Sequence, residues 1–202
     1  TKQASLGFTP EDVTNKSSSY TASSTTTYPN TKALVDGLAT KQSSLGFTPY
    51  RYISSTASST VTGTLSETQV LQVTIPANSF ASLDLFKISN LKVFKTGVVG
   101  TVKINIKLST SNTMPVGGTS LIASFTSVAL NLSVPLKRTF SVRSNVLSGY
   151  SNGSISSDDN VSNSAPSTYT FDPTVVNYLY VSLTLSNITD SAYLDQFELT
   201  NL

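Results

Sequence analysis

Histidine and cysteine are both missing from this chain of 202 residues. Their absence removes imidazole general bases, thiol nucleophiles, disulfide staples and every Cys/His zinc arrangement at once, so neither a cofactor nor a metal centre of those kinds is expected. Charge is also scarce. Charged residues make up 12 % of the chain, against about a quarter in an ordinary globular protein, and Ser and Thr take the vacant share. The formal net charge of +2 comes from scattered Lys and Arg. With no basic run there is no electrostatic footprint for nucleic acid or anionic lipid, and no nucleic-acid partner is expected. No apolar stretch approaches the length of a membrane span, and no charged-then-apolar leader opens the chain, so no membrane insertion is expected either. A surface of hydroxyls and amides depends little on screened ion pairs, which suits work outside a cell or on a particle.

What is present first is a repeat. Lys2-Gln3-Ala4-Ser5-Leu6-Gly7-Phe8-Thr9-Pro10 returns as Lys41-Gln42-Ser43-Ser44-Leu45-Gly46-Phe47-Thr48-Pro49. A module of this size cannot bury a core alone and must gain buried surface from neighbours or from other copies of the chain, which predicts a thin stalk over residues 1–49. The chain opens without Met and inside a repeat, so a longer protein with an upstream part is expected.

Between the copies, Glu11 to Ser19 is polar and capped for a short turn or helix, and Ser23 to Thr27 is a hydroxyl tract. Tyr28-Pro29-Asn30-Thr31 then leads into Lys32 to Leu38. A Pro near the start, Asn or Thr as a cap, Leu34, Val35 and Leu38 on one side and Gly37 near the end predict a short helix. Such a helix is unstable alone in water, so Leu34 and Leu38, with Phe8 and Phe47 of the repeats, are expected to pack against sister chains. A Ser/Thr linker with one nascent turn is the alternative.

After Tyr50 the pattern changes to alternation. Leu71, Val73 and Ile75 lie on one face of a strand from Gln69 to Ile75. Further strands are expected over Leu83 to Phe94, Thr101 to Leu108, Leu121 to Ser127, Leu130 to Ser133, Lys137 to Val142, Tyr178 to Leu185 and Leu194 to Leu199. Turn chemistry at Pro76-Ala77-Asn78, Thr96-Gly97, Pro115 to Gly118, Asn152-Gly153 and Asp172-Pro173 spaces these strands as an antiparallel sandwich. A domain over residues 50–202 is long enough to bury roughly two-thirds of its unfolded surface without disulfides. Val102, Ile104, Ile106 and Leu108 are expected inward, with Lys103 and Lys107 wet and without function. Tyr178 and Tyr180 alternate with Leu179, Val181, Leu183 and Leu185, so both faces of that strand are covered, either at an oligomer interface or at the centre of a monomer sheet.

Leu6-Gly7-Phe8-Thr9-Pro10-Glu11-Asp12-Val13-Thr14-Asn15-Lys16-Ser17, followed by Tyr28-Pro29-Asn30-Thr31-Lys32-Ala33-Leu34-Val35, resembles the shaft repeat of bacteriophage fibre proteins, commonly LG(F/Y)TPE(D/N)VANKS and YPS(x)KAV. The resemblance covers residues 1 to 49. More loosely, Ile75-Pro76-Ala77-Asn78-Ser79-Phe80 and Ala192 to Leu199 are similar to the jelly-roll heads of phage fibres. The second repeat departs from the pattern by running from Pro49 straight into Tyr50-Arg51-Tyr52, which places the start of the head at Tyr50. The resemblance implies a homotrimeric tail or head fibre of a virion, mainly β, with a short repeat-built, partly helical shaft and a jelly-roll head. It also implies the upstream fibre and other virion proteins as partners, and a host surface glycan or protein as receptor.

Two catalytic options survive the composition: a carboxylate pair for glycan cleavage and a Ser-Lys arrangement. The head holds Glu67, Asp84, Asp158, Asp159, Asp172, Asp190, Asp195 and Glu198. Several have turn or solvent explanations, and Ser is too abundant for proximity to Lys to signal anything, so no catalytic residue is assigned and no enzyme is expected. Asp158-Asp159-Asn160 lacks the spaced acidic ladder of a calcium loop. The longest irregular stretch, Ser144 to Thr168, carries Tyr150, Asn152, Ser154, Asn160 and Asn163, with Tyr169 beside it. These residues offer rigid aromatic surface with adaptable hydrogen bonding, the makeup of many sugar-binding surfaces and equally of a mobile loop. Ser109 to Gly118, with Met114, is the other exposed connection and is placed to join it at one end of the sandwich. The expected function is host attachment by multivalent non-covalent binding. A capsid-decorating or structural fibre without a receptor and a glycan-cleaving spike are the alternatives.

Overall fold

A computed structural model describes residues 16–17, 28–29, 50–54, 56–118, 120–149 and 166–201. The chain divides into two units, Thr1–Thr48 and Pro49–Leu202. In the first, β1 (Lys16–Ser17) pairs in parallel with β2 (Tyr28–Pro29). Lys16 and Ser17 fall within the stretch expected as a polar turn or helix. Their strand partner is a second segment, which local capping signals cannot reveal. The expected helix over Lys32 to Leu38, and Phe8, Leu34, Leu38 and Phe47, lie outside the described residues.

The second unit is antiparallel β in two sheets. Its strands are β3 (Arg51–Ser54), β4 (Val61–Thr62), β5 (Thr68–Ile75), β6 (Leu85–Thr96), β7 (Val102–Ser109) and β8 (Leu121–Thr126). They continue with β9 (Ser133–Arg143), β10 (Val146–Gly149), β11 (Ser167–Thr170), β12 (Asn177–Leu185) and β13 (Ser191–Thr200). One sheet has the order β11-β10-β9-β6-β13-β3, with β4 also on β13, and the other is β5-β12-β7-β8. The connections β5–β6, β6–β7, β8–β9, β11–β12 and β12–β13 cross between sheets, whereas β7–β8 and β9–β10 are hairpins within one. The crossings give the sandwich two closed ends. Tyr50 lies at one of them, where its N–H donates to Asn201 Oδ1 at 2.9 Å and its ring tilts against Phe80 at 5.5 Å.

The core follows from alternation. Val134, Leu136, Phe140 and Val142 of β9 point inward with Phe86, Ile88, Leu91 and Val93 of β6 and Leu194, Phe197 and Leu199 of β13. From the other sheet come Val73, Ile75, Ile104, Ile106, Leu179, Val181 and Leu183. Phe86 stacks on Phe80 at 5.1 Å and meets Phe171 edge-on at 5.7 Å, anchoring the end at which the chain enters. Each such ring, fully buried, contributes roughly 2–3 kcal/mol of hydrophobic stabilisation.

Four expectations are corrected. Leu130 to Leu132 is no strand, and of the expected segment only Ser133 belongs to one, as the first residue of β9. Leu130 to Leu132 lies in the turn between β8 and β9, with Asn131 N–H on Val128 O at 3.1 Å and Leu130 75 % exposed, because the chain must here cross from one sheet to the other. The stretch from Ser144 to Thr168 is not irregular throughout, since β10 and the start of β11 form an added hairpin on the edge of β9. Lys107 is fully buried and not wet, although Lys103 is exposed. Tyr180 is fully covered by its own chain as part of β12, between β5 and β7, so its assignment to an oligomer interface is withdrawn. Tyr178 is half-buried.

Candidate functional site

The outer face of the four-stranded sheet explains both of the last two corrections. Ser182, Asn105 and Ser124 lie side by side across β12, β7 and β8, and Tyr180 lies beside Lys107 one step along. Polar groups in such rows need partners once covered. Glu67, just before β5, reaches over them from one end. Its carboxylate accepts from Lys107 Nζ at 2.8 Å, Asn105 Nδ2 at 2.9 Å and Ser182 Oγ at 2.5 Å. Ser124 Oγ donates in turn to Asn105 Oδ1 at 2.9 Å.

From the other end the β7–β8 connection folds back over the same face. Lys107 Nζ donates to Pro115 O at 2.8 Å, Tyr180 Oη to Ser111 O at 2.7 Å, and Gln72 Nε2 to Asn112 Oδ1. Burial pushes the Glu67 carboxyl up, but the hydrogen bonds from Lys107, Ser182 and Asn105, with the Lys107 charge, outweigh it and hold the group below its ordinary value. Burial raises the Tyr180 phenol, with Tyr178 adding to it. In this network the lysine is an ion-pair partner and the carboxylate a three-way acceptor, so the cluster holds a loop in place.

Four further acids, Asp190, Glu198, Asp172 and Asp84, are similarly engaged. Asp190 accepts the Gly100 N–H at 2.7 Å and lies 3.4 Å from Lys95 Nζ, with both side chains buried, and Lys95 also donates to Gly97 O. This pair ties the β6–β7 turn to the β12–β13 turn. Gly97 is required there, since at φ +86° a Cβ would stand 2.1 Å from Asp190 Oδ1. Glu198 accepts from Arg51 Nε at 2.8 Å and Ser89 Oγ at 3.0 Å, and these two bonds lower its pKa. Asp172 caps its own turn through the hydroxyl and N–H of Thr174, which lower its pKa. Asp84 accepts the Ala81 N–H at 2.7 Å. Among the described residues no three His, Cys, Asp or Glu side chains come together to hold a metal.

The candidate ligand site is elsewhere. A pocket of about 400 Å³ is lined by Leu108, Gly118, Ser120, Leu121, Ile122, Tyr169 and Thr170. It lies between β8, the last strand of the small sheet, and β11, the last strand of the large one. Leu108 and Ile122 are buried and form an apolar floor, Ser120 and Thr170 bring hydroxyls, and among the described residues none that lines it is charged. Tyr169 is half-buried, its ring held edge-on to Phe140 at 5.9 Å. A fixed aromatic face beside hydroxyls above an apolar floor suits an uncharged ligand with both apolar and hydroxyl surface.

Of the residues expected to bind a receptor, Tyr169 lines this pocket. Met114 is half-buried in the β7–β8 connection and is not among the lining residues, although Gly118 of the same connection is. Tyr150, Asn152, Ser154, Asn160 and Asn163 lie outside the described residues. Sequence reasoning missed Leu121, Ile122 and Thr170. Leu121 and Ile122 read simply as strand core, and only the meeting of two edge strands makes them part of a pocket lining. Comparison with protein-family models, with curated proteins and with solved structures finds no match for this chain.

Proposed function

We propose that the chain is part of a homotrimeric phage virion fibre, with residues 1–49 as shaft and a jelly-roll-type head that attaches to the host surface without covalent chemistry. The observation that carries attachment is the pocket under Tyr169, which Gly118 of the β7–β8 connection lines together with Tyr169 and Thr170 of β11. The repeated Leu-Gly-Phe-Thr-Pro peptide supports the fibre reading, and the crossings between sheets support a jelly-roll-type head. Binding in place of catalysis is supported by the acids: Glu67, Asp84, Asp172, Asp190 and Glu198 each hold a loop, a turn or a neighbouring strand. Three copies give avidity, so contacts that are weak singly hold a particle on a cell.

The test is retention of the full chain on a panel of intact bacterial cells. Thr170→Trp fills the pocket from an exposed position, and Tyr169→Ala removes its aromatic wall. Each is expected to lower retention at least about tenfold, the order set by losing one good contact per copy. Retention unchanged in both variants, or absent for the unmodified chain on every strain tried, overturns the reading in favour of a structural fibre.

A further inference from the structure

Lys and Arg are scattered along the sequence, yet the strand period collects them. On β6 the inward residues Phe86, Ile88, Leu91 and Val93 leave Lys87 and Lys92 on the outer face of the large sheet. On β9 the same alternation leaves Lys137 and Arg143 outside. Arg51 of β3 lies opposite Thr200 and reaches Glu198, so it belongs to the same face. Five cations thus share one sheet face, where the strands carry only Asp195 and Glu198 as acids. Lys103 is the remaining exposed cation among the described residues of this unit, and it lies on the other sheet.

The register sets their spacing. Lys87 is opposite Thr139 and Lys92 opposite Pro135, so Lys137 lies between them along the sheet, each step being about 7 Å. Beside this row stands an aromatic pair. Phe94 and Tyr193 are direct cross-strand neighbours, both half-buried, with ring centres 5.7 Å apart, and Lys92 Nζ stands 4.6 Å from the Phe94 ring centre.

We infer that this face binds an acidic polysaccharide, its carboxylates on Lys87 and Lys92 and a sugar face on the Phe94–Tyr193 pair. Charge complementarity favours an anionic partner, since among the described residues the strands of this face carry more cations than acids, which repels a basic one. The aromatic pair selects a sugar-ring polymer over a plain polyphosphate, because a glycerol-phosphate chain has no ring to lay on it. Lysines, as point charges on flexible stems, accept carboxylates at varied angles along a polymer and impose no fork geometry. The surface shares no residue with the pocket under Tyr169. The inference rests on the attachment reading for its biological meaning but not for its measurement.

The experiment measures retention of the full chain on immobilised polygalacturonate, on neutral dextran and on duplex DNA, at low and at high salt. Polygalacturonate is expected to retain the protein, dextran is not, and salt weakens the retention. Lys87→Glu with Lys92→Glu is expected to weaken it about tenfold or more, whereas Lys103→Glu leaves it unchanged. Tyr193→Leu, which keeps burial and removes the ring, weakens it severalfold. No retention on polygalacturonate at low salt, equal loss with Lys103→Glu, or tighter binding to DNA that ignores Tyr193→Leu each overturns the proposal. Cells bound by a protein that ignores polygalacturonate leave attachment standing and remove this inference. Polygalacturonate bound by a protein that ignores every cell does the reverse.

Discussion

Lys107 and Glu67 form an unequal pair: the lysine side chain is fully buried and the glutamate side chain keeps 23 % of its exposure. Removing the acid therefore strands a charge without water, whereas removing the base leaves a carboxylate that still accepts from Ser182 and Asn105. Glu67→Gln is expected to lower unfolding free energy by about 3 kcal/mol, and Lys107→Met by less than about 2 kcal/mol. Against a total of about 5–15 kcal/mol the first is a large share, and urea denaturation of the two variants checks the order. The sign of the pH effect follows from the lowered Glu67 pKa. The group's contribution is complete above the unfolded carboxylate value and is lost as pH falls through the lower folded value. Unmodified protein and Glu67→Gln should therefore differ in stability at neutral pH and converge in acid. A constant difference down to the acid limit would show that the carboxylate charge is not what the network uses.

At the level of elements, the turns at the end opposite Tyr50 depend on the Lys95–Asp190 pair and on glycine beside it. Gly97→Ala adds a Cβ at positive φ and drives it into Asp190, so a loss of about 2 kcal/mol or more is expected, with the β6–β7 turn losing amide protection first. Exchange that stays slow at Val98 and Gly100 in this variant would contradict that placement. The β9–β10–β11 hairpin illustrates what was hidden from the sequence. Of its strands β10 and β11 have four residues each, too short for alternation to stand out inside a Ser- and Asn-rich stretch. Leu130 and Leu132 show the opposite failure, since their alternation is strand-like but the chain turns there to cross from one sheet to the other. The long strands were readable because eight to twelve residues of patterned apolar side chains, as in β6, β7 and β12, leave no other way to bury a face.

For the whole molecule the expectation is that the intact chain runs as a trimer in light scattering. Pro49–Leu202 alone should unfold cooperatively at any concentration, because its core is complete within one chain. A monomeric intact chain would remove the trimer, and with it the avidity on which weak attachment relies. Of the pocket, Tyr169 was legible as an aromatic beside a long connection. Its partners were not, because Leu121 and Ile122 are set against it by the closing of one sheet over the other.

Composition alone excluded histidine, thiol and Cys/His metal chemistry, and local alternation alone settled which side chains of the long strands face inward. Both are properties of residues close together in the chain. Only the tertiary structure decided that Lys107 is buried under Glu67, that Asp190 clamps two turns, that two edge strands enclose a pocket and that scattered lysines share a face. Those contacts join residues 40, 90 and 95 positions apart in the first two cases. A period of two tells a residue which side of its strand it is on, but not which distant strand will lie beside it.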